Sequence, residues 1–152
     1  MTITSILYLN LNILGTLRHM AAISSPQLLI TDVKLFELVP DTSKVGRILS
    51  SAKIGDVYMS RLVIEPRVVT GNYYHYSTSI MFYVEYGSVV AGFEQIKTKE
   101  HKIMNLKPGR HVIHVSPLVA LATKNIGFDK AVVIFFSNHE LRSDDTCDYK
   151  IF

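Results

Sequence analysis

The sequence predicts an all-β domain, built as a sandwich or a barrel. Many short runs of β-prone residues are separated by turns that contain Gly, Pro or Asn, and no run of useful length follows a helical period. Tyr and Phe, with 8 and 7 copies and no Trp, accompany abundant Val and Ile, which favours strands over helices. At 152 residues, of which 48% are hydrophobic and 19% charged, the chain can form a single domain with a full core.

Turn residues divide the chain into its predicted strands. The apolar pattern of residues 27–39 predicts one or two strands that end at Pro40, and the polar cluster 41–47 predicts a turn. The strands predicted after this turn are 47–53, 58–64, 80–86, 88–96, 101–106, 111–115, 119–123 and 131–136. Gly87 leads us to expect that 88–96 is the hairpin partner of 80–86. A jelly roll is favoured over an immunoglobulin-like sandwich, because the chain has no Cys…Trp…Cys core.

Charge and cysteine content narrow the classes of function. The net charge of +3 and the pI near 9.0 are mildly basic, but Lys and Arg do not form the run or stripe that follows a phosphate backbone. We therefore expect no nucleic-acid binding, whereas a small anionic ligand fits this charge balance. The single cysteine, Cys147, excludes an intrachain disulfide and indicates a reducing compartment, so we expect a cytoplasmic protein.

Residues 1–19 precede an internal methionine, Met20, which would serve as a natural start. The apolar run before it is interrupted by Asn10 and Asn12 and falls short of the ~20 apolar residues that span a bilayer. No Lys or Arg precedes this run and no small-residue cleavage signature follows it, so a targeting signal is not expected. We interpret 1–19 as an upstream extension or an added pairing strand and 20–152 as the domain, with no membrane association.

The segment 71–76 carries the most informative motif, a predicted turn with a His and aromatics between the strand-like runs 58–64 and 80–86. Its first five residues, Gly-Asn-Tyr-Tyr-His, are similar to Gly-Asn-His-Tyr-His of a group of cupins that act on sugar nucleotides. Residues 115–127 resemble the second motif of that group, and the tail with Asn138, Glu140 and Asp145-Thr146 resembles its ending. From about Leu28 onward the chain thus resembles dTDP-4-dehydrorhamnose 3,5-epimerase-like and dTDP-sugar 3,4-ketoisomerase cupins. It also resembles the C-terminal cupin domain of capsular polysaccharide biosynthesis reductases.

This resemblance implies a double-stranded β-helix, the jelly-roll barrel of cupins, and it also bears on metal binding. Metal-binding cupins use two His residues, a Glu and a second-motif His, and these positions are occupied here by Tyr73, His75, Ile80 and Leu121. One imidazole cannot hold a catalytic divalent ion alone, and Ile and Leu provide no ligand atom. We therefore expect neither a metal nor another cofactor.

The absence of metal ligands does not exclude catalysis by proton transfer. The epimerase and ketoisomerase relatives work without metal, with His as base and Tyr as acid beside a sugar ketone, which implies His75 and Tyr73 as candidate catalytic residues. His75 needs an orienting carboxylate, for which Glu65, Glu85 or Glu94 could reach across strands. The alternative is a buried His75 that is bonded to a Tyr hydroxyl in a degenerate pocket.

The candidate ligand-binding residues are two arginines near the motif, Asn72 within it, and Tyr83 on the following strand. Arg61 is favoured as a diphosphate clamp because it lies in an alternating strand, whereas Arg67 beside Pro66 has turn capping as its alternative. Arg47 lies in the preceding strand.

Three hypotheses about function remain. The first is a metal-independent epimerase or keto-isomerase of sugar-nucleotide and surface-polysaccharide metabolism. The second is a non-catalytic cupin that binds a small anionic or sugar ligand, or a protein partner. The third and weakest is a metal-dependent dioxygenase-like cupin. The expected partners are a small molecule, such as a nucleotide sugar, and a second copy of the chain in a homodimer formed through the N-terminal strands.

Overall fold

The computed structural model describes residues 33–152, and this part of the chain consists of strands and turns without a helix. The strands are β1 Val39–Asp41, β2 Arg47–Ile54, β3 Val57–Ile64, β4 Val69–His75, β5 Ile80–Tyr86, β6 Val89–Gln95, β7 His101–Leu106, β8 Ile113–Val115, β9 Val119–Asn125, β10 Ala131–Ser137 and β11 Thr146–Asp148. The predicted extension 1–19, and the part of the first predicted strand before residue 33, lie outside the described residues. Homodimerisation and cytoplasmic location stay predictions.

The strands form two antiparallel sheets, which confirms the predicted all-β jelly roll. One sheet has the order β1-β2-β3-β10-β5-β8, and the other has the order β11-β4-β9-β6-β7. The strand that is clearest in the sequence, β10, is central in the first sheet between β3 and β5 and is buried on both faces. Pro40, expected to end the first strand, lies within the edge strand β1, where a missing N–H is tolerated.

The core lies between the two sheets and is centred on Phe82 of β5. Its ring stacks on Phe135 of β10 at 5.2 Å and on Phe93 of β6 at 6.4 Å between centroids. β5 alternates buried Ile80, Phe82 and Val84 with more exposed neighbours, the period-2 pattern of a strand with one covered face. Burial of each large apolar side chain contributes about 1.5–3 kcal/mol, so this alternation fixes which face of β5 turns inward.

The predicted hairpin between 80–86 and 88–96 is wrong. β5 pairs with β10 and β8, whereas β6 pairs with β7 and β9 in the other sheet. The chain therefore crosses between the sheets at Gly87, whose φ is +89°. A Cβ at this position would lie 2.8 Å from both Cα and Cβ of Ala131, so the crossing requires glycine for its conformation and for space.

The predicted turn at 71–76 is also wrong, because this segment forms most of β4. β4 pairs with β9 through a bulge between Gly71 and Tyr73, and both Gly71 and Asn72 adopt positive φ, +82° and +62°. A Cβ on Gly71 would lie 2.6 Å from the carbonyl oxygen of Leu121. The sequence signal read as a turn is therefore a bulge within a strand, and it redirects the side chains that follow.

Asn125, in the second motif, has a structural role. Its buried Nδ2 donates to the carbonyl oxygens of Ile64 at 3.0 Å and Asp129 at 2.7 Å, and its Oδ1 accepts from the N–H of Gly127 at 2.9 Å. These bonds tie the end of β3 to the turn between β9 and β10. The Asn-x-Gly part of the motif therefore shapes this end of the barrel rather than a binding site.

Candidate functional site

A cavity of about 210 Å³ lies between the two sheets. Side chains from β2, β3 and β10 form one side, and β4, β9 and β11 form the other. The lining residues are Lys44, Arg47, Leu49, Leu62, Thr70, Gly71, Tyr73, Leu121, Thr123, Phe135, Leu141, Arg142, Thr146 and Asp148. An apolar wall that carries a few convergent polar groups is the usual composition of a small-molecule site.

Two arginines of the cavity share one carboxylate. Nη2 of Arg47 donates to Oδ2 of Asp41 at 3.1 Å, and Nη1 of Arg142 donates to the same oxygen at 2.5 Å and to Oγ of Ser43 at 2.8 Å. Hydrogen bonds from Ser43, and then from the two arginines, hold the pKa of Asp41 well below its usual range. Asp41 is therefore an ionised group that positions both guanidinium groups beside the cavity.

Arg47 keeps one nitrogen without an acceptor among the described residues. Its side chain is only 7% exposed, and its buried Nη1 has no hydrogen-bond partner there. A buried donor without an acceptor costs about 1–3 kcal/mol, and more when the group is charged. Because Arg47 also lines the cavity, this nitrogen is the strongest candidate in the cavity for binding an anionic group.

Tyr73 lines the cavity between Arg47 and His75. Burial raises the pKa of its phenol to about 12, and the nearby charge of Arg47 opposes this only in part. The rings of Tyr73 and His75 meet edge to face with their centroids 5.0 Å apart. Tyr73 therefore faces the cavity as a neutral phenol, and His75 lies behind it, outside the set of residues that line the cavity.

His75 is buried, 3% exposed, and is oriented by Asp145. Its Nδ1 lies 3.1 Å from Oδ1 of Asp145 and 3.1 Å from Oγ1 of Thr146. Burial lowers the pKa of His75, so the ring is neutral at pH 7 and its proton on Nδ1 bonds to the carboxylate. Nε2 is then an unprotonated nitrogen, buried and without a hydrogen-bond partner among the described residues.

A set of donors holds Asp145 in its ionised form. Its Oδ2 accepts from the N–H and hydroxyl of Ser77 and of Thr78, at 2.8–3.0 Å, and its Oδ1 accepts from Oγ of Ser143 at 2.5 Å. Burial alone raises the pKa of this carboxyl, but the hydrogen bonds from Ser143, Ser77 and Thr78 outweigh it and hold the pKa far below normal. The orienting acid is thus fixed before any ligand binds.

The residues expected to bind a ligand are dispersed. Arg61 is exposed on β3, on the face opposite Leu62, which lines the cavity. Arg67 donates to the carbonyl of Ile126 at 3.2 Å and lies over the ring of Phe128. Tyr83 alternates with the buried Phe82 and faces away from the core.

Asn72, also expected at the ligand, binds the end of the chain instead. Its Nδ2 donates to the carbonyl of Phe152 at 3.2 Å, and its Oδ1 accepts from the N–H groups of Ile151 and Phe152 at 2.8 and 3.2 Å. Of the predicted site residues, only Tyr73 lines the cavity, and the ring of His75 contacts the ring of Tyr73.

Sequence reasoning missed Arg47 as the cavity arginine and Asp145 as the partner of His75. Arg47 and Leu49 are two positions apart in β2, so their side chains lie on the same face of the strand, and both line the cavity. This spacing is the sequence signal that could have identified Arg47. Of the three glutamates predicted as partners of His75, Glu65 pairs with Lys130 at 2.9 Å, and Glu94 accepts from the hydroxyl of Tyr149. Glu85 is exposed on β5. No local pattern links Asp145 to His75, because the two residues are 70 positions apart.

The positions of the cupin metal ligands do not fit a metal here. Tyr73 and Leu121 are register partners in β4 and β9, and Ile80 is buried in the core. The one imidazole among these positions already uses Nδ1 on Asp145. Within residues 33–152, no group of three or more His, Cys, Asp or Glu side chains is arranged to hold a metal ion.

Neither a protein-family model nor a curated protein matches the sequence. Solved structures with the same fold include the capsular polysaccharide assembling protein CapF from Staphylococcus aureus, at 18% identity and a TM-score of 0.68 over 75% of this chain. AerE from Microcystis aeruginosa matches at 13% identity and a TM-score of 0.58 over 74% of this chain. Oxalate oxidase matches at 15% identity and a TM-score of 0.56 over 64%.

The chain covers 34% of CapF, 53% of AerE and 54% of oxalate oxidase, so it spans about a third to half of these proteins. Among the described residues, no helix has the length and apolar character that a membrane crossing needs. The topology of the two sheets and these structural relatives give the same result: the chain has the cupin fold.

Proposed function

We propose that this protein binds a small anionic sugar derivative in its interior cavity, without a metal, and serves surface-polysaccharide metabolism. The observation that carries the proposal is the buried Nη1 of Arg47, which lines the cavity and has no acceptor among the described residues. An anionic oxygen of a ligand supplies that acceptor through a charge-assisted hydrogen bond. The fold shared with the capsular polysaccharide assembling protein CapF supports the assignment to polysaccharide chemistry.

The remaining walls of the cavity suit a sugar ring. The hydroxyls of Thr70 and Thr123 are hydrogen-bonded to each other at 2.7 Å. Because a hydroxyl can donate one hydrogen bond and accept two, each can still bond to a ligand, and Tyr73 adds a phenol. Leucines and Phe135 provide the apolar surface against which the C–H groups of a ring pack. A ligand with hydroxyls on one edge and an anion at one end matches this distribution.

The test is a thermal-shift series with nucleotide sugars, sugar phosphates and sugar acids, on the wild type and two variants. Arg47→Met removes the guanidinium that is the candidate anion-binding group, and Arg61→Met makes the same change at an exposed position on β3. We expect at least one ligand class to stabilise the wild type and the Arg61→Met variant but not the Arg47→Met variant. Equal stabilisation of both variants would refute the assigned site.

A second candidate function, proton transfer by a sugar epimerase or keto-isomerase, is favoured by the pair of His75 and Asp145. The carboxylate holds the imidazole proton on Nδ1 and leaves Nε2 as a base, the arrangement that general-base catalysis requires. Tyr73 lies between this base and the cavity. In this function the Tyr73 phenol contacts the ligand, and His75 reaches the ligand when the Tyr73 ring moves aside.

Exchange of a carbon-bound hydrogen in D₂O tests the second candidate separately from binding. The ligand found above is incubated with the protein and followed by NMR, with wild type, His75→Asn and Tyr73→Phe compared at matched ligand saturation. The proton-transfer function predicts deuterium incorporation by wild type that falls at least ~100-fold in His75→Asn, the usual size of a general-base contribution. Binding without exchange in any of the three proteins would leave a purely binding function.

A further inference from the structure

We propose that the ligand is a single-ring sugar acid, a molecule with one carboxylate and several hydroxyls, rather than a nucleotide sugar or sugar phosphate. This inference rests on the proposed function and specifies its ligand class. It follows from the charge around the cavity, from the way in which Arg47 is already bonded, and from the size of the space.

The charge balance around the cavity matches one negative charge. Three cations line it, Lys44, Arg47 and Arg142, while Asp148 also lines it and Asp41 bonds to both arginines. Three positive charges against two negative ones leave a net charge of +1. A carboxylate at pH 7 carries one negative charge, whereas a phosphate monoester carries about −1.5 to −2 and a diphosphate at least as much.

The bonds of Arg47 also place the anion. Nη2 already donates to Asp41, whereas the buried Nη1 has no acceptor among the described residues, so a ligand meets this guanidinium first through Nη1. Arg142 is already bonded through Nη1 to Asp41 and Ser43. One oxygen of a carboxylate satisfies Nη1 while the other remains available to the ammonium of Lys44, which lines the same cavity.

The size of the cavity agrees with one ring. A volume of about 210 Å³ exceeds the roughly 150 Å³ of an apolar cavity that accepts benzene. It lies below the roughly 300–1,000 Å³ of pockets that enclose drug-sized ligands, and a nucleoside diphosphate sugar is at least that large. A hexose ring with a carboxylate is within this volume, whereas a nucleotide and its diphosphate would extend out of the open side of the cavity.

The experiment measures dissociation constants by calorimetry for four probes: D-glucuronate, D-glucose, D-glucose 1-phosphate and UDP-glucuronate. We expect glucuronate to bind at least tenfold more tightly than each of the other three. We also expect its affinity to fall at least tenfold in Arg47→Met and in Lys44→Met, and to remain unchanged in Arg61→Met. Lys44 is exposed, so Lys44→Met keeps the test valid even where Arg47→Met perturbs folding.

Asp148→Asn tests the charge argument directly, because it raises the net charge around the cavity from +1 to +2. This variant is expected to gain affinity for glucose 1-phosphate by a larger factor than for glucuronate. Tighter binding of the phosphate or the nucleotide sugar by the wild type, with the same dependence on Arg47, overturns the sugar-acid inference and leaves the proposed function intact. The absence of any ligand whose binding depends on Arg47 overturns both.

Discussion

Nδ1 of His75 lies 3.1 Å from Oδ1 of Asp145, although the two residues are 70 positions apart in the chain. The contact joins β4 to the segment that leads into β11, and the register that pairs His75 with Thr146 sets it. The carboxylate also accepts from Ser77, Thr78 and Ser143. One side chain thus holds the turn after β4, the C-terminal segment and the ring of His75 together.

Replacement of Asp145 is therefore expected to destabilise the fold strongly. Asp145→Ala removes a cluster of charge-assisted hydrogen bonds and leaves the N–H and hydroxyl of the buried Thr78 without an acceptor, each such loss costing about 1–3 kcal/mol. We expect the free energy of unfolding in urea to fall by about 3 kcal/mol or more. Asp144→Ala, at the exposed neighbour, is the control and is expected to change it by less than about 0.5 kcal/mol.

The stability of the protein is expected to fall as the pH drops below about 6.5, because burial lowers the pKa of His75. Between the lowered folded pKa and 6.5, the unfolded state binds the proton and the folded state does not, so acidification favours unfolding. The slope that this group adds is at most about 1.4 kcal/mol per pH unit. Urea unfolding at pH 5 to 8 should show this slope in wild type and in His101→Gln, a change at an exposed histidine, and lose it in His75→Asn.

A second loss of stability is expected below pH 4, from the carboxyl of Asp145. Its folded pKa lies far below the unfolded value of about 3.9, so its contribution is fully present above that value and is lost as the pH falls towards the folded pKa. Acid unfolding followed by circular dichroism should show that Asp145→Asn has a flatter stability profile than the wild type below pH 4. An unchanged profile would mean that other carboxyls control acid unfolding.

Gly87 provides a test of the crossing between the sheets. Gly87→Ala places a Cβ 2.8 Å from Cα of Ala131 and 3.0 Å from the carbonyl of Lys130, at a φ of +89°. Gly109 has a comparable φ of +64° but nothing within 4 Å of a built Cβ, so Gly109→Ala adds only the left-handed strain of about 1–2 kcal/mol. We expect the melting temperature to fall clearly further in Gly87→Ala than in Gly109→Ala. Equal effects would show that the backbone at Gly87 relaxes without cost.

Asn72 is expected to control the order of the C-terminal tail rather than ligand affinity. Asn72→Gly tolerates the φ of +62° but removes the three hydrogen bonds to Ile151 and Phe152. Carboxypeptidase digestion should release the last residues faster from this variant than from wild type, while the ligand affinity stays within about twofold. A large loss of ligand affinity, with the tail still protected from carboxypeptidase, would instead identify Asn72 as a ligand-binding residue.

The strands were predictable where apolar alternation and turn residues coincide. β3, β5 and β10 follow the predicted 58–64, 80–86 and 131–136 to within one residue, because buried positions recur at every second residue or fill a central strand. The apolar alternation does not reveal which strands pair with one another. β5 and β6 are consecutive and joined by a glycine, as in a hairpin, yet packing of the two sheets places them on opposite sides of the core.

The site was predictable only in part, because side-chain direction depends on strand parity and on distant segments. Arg61 and Arg47 both lie in strands, but only Arg47 has the parity of residues that line the cavity. The bulge at Asn72 shifts the register of β4 by one residue, so a motif read without it misplaces that side chain. β11, only three residues long in a polar tail, carried no strand signal at all.

Arg47→Met is expected to leave stability unchanged or to raise it, while it removes anion binding. Replacement of a buried ion pair by apolar residues of similar size is often neutral or stabilising by about 1–4 kcal/mol, whereas removal of one partner destabilises the fold when it leaves the other charge buried and unpaired. Asp41 keeps its bonds to Ser43 and Arg142 in this variant, so no new unpaired carboxylate is buried. Urea unfolding of wild type and Arg47→Met without ligand checks the prediction. A loss above about 2 kcal/mol would identify Arg47 as a structural residue, whereas a stable variant without anion binding identifies a residue retained for its ligand at a cost to the fold.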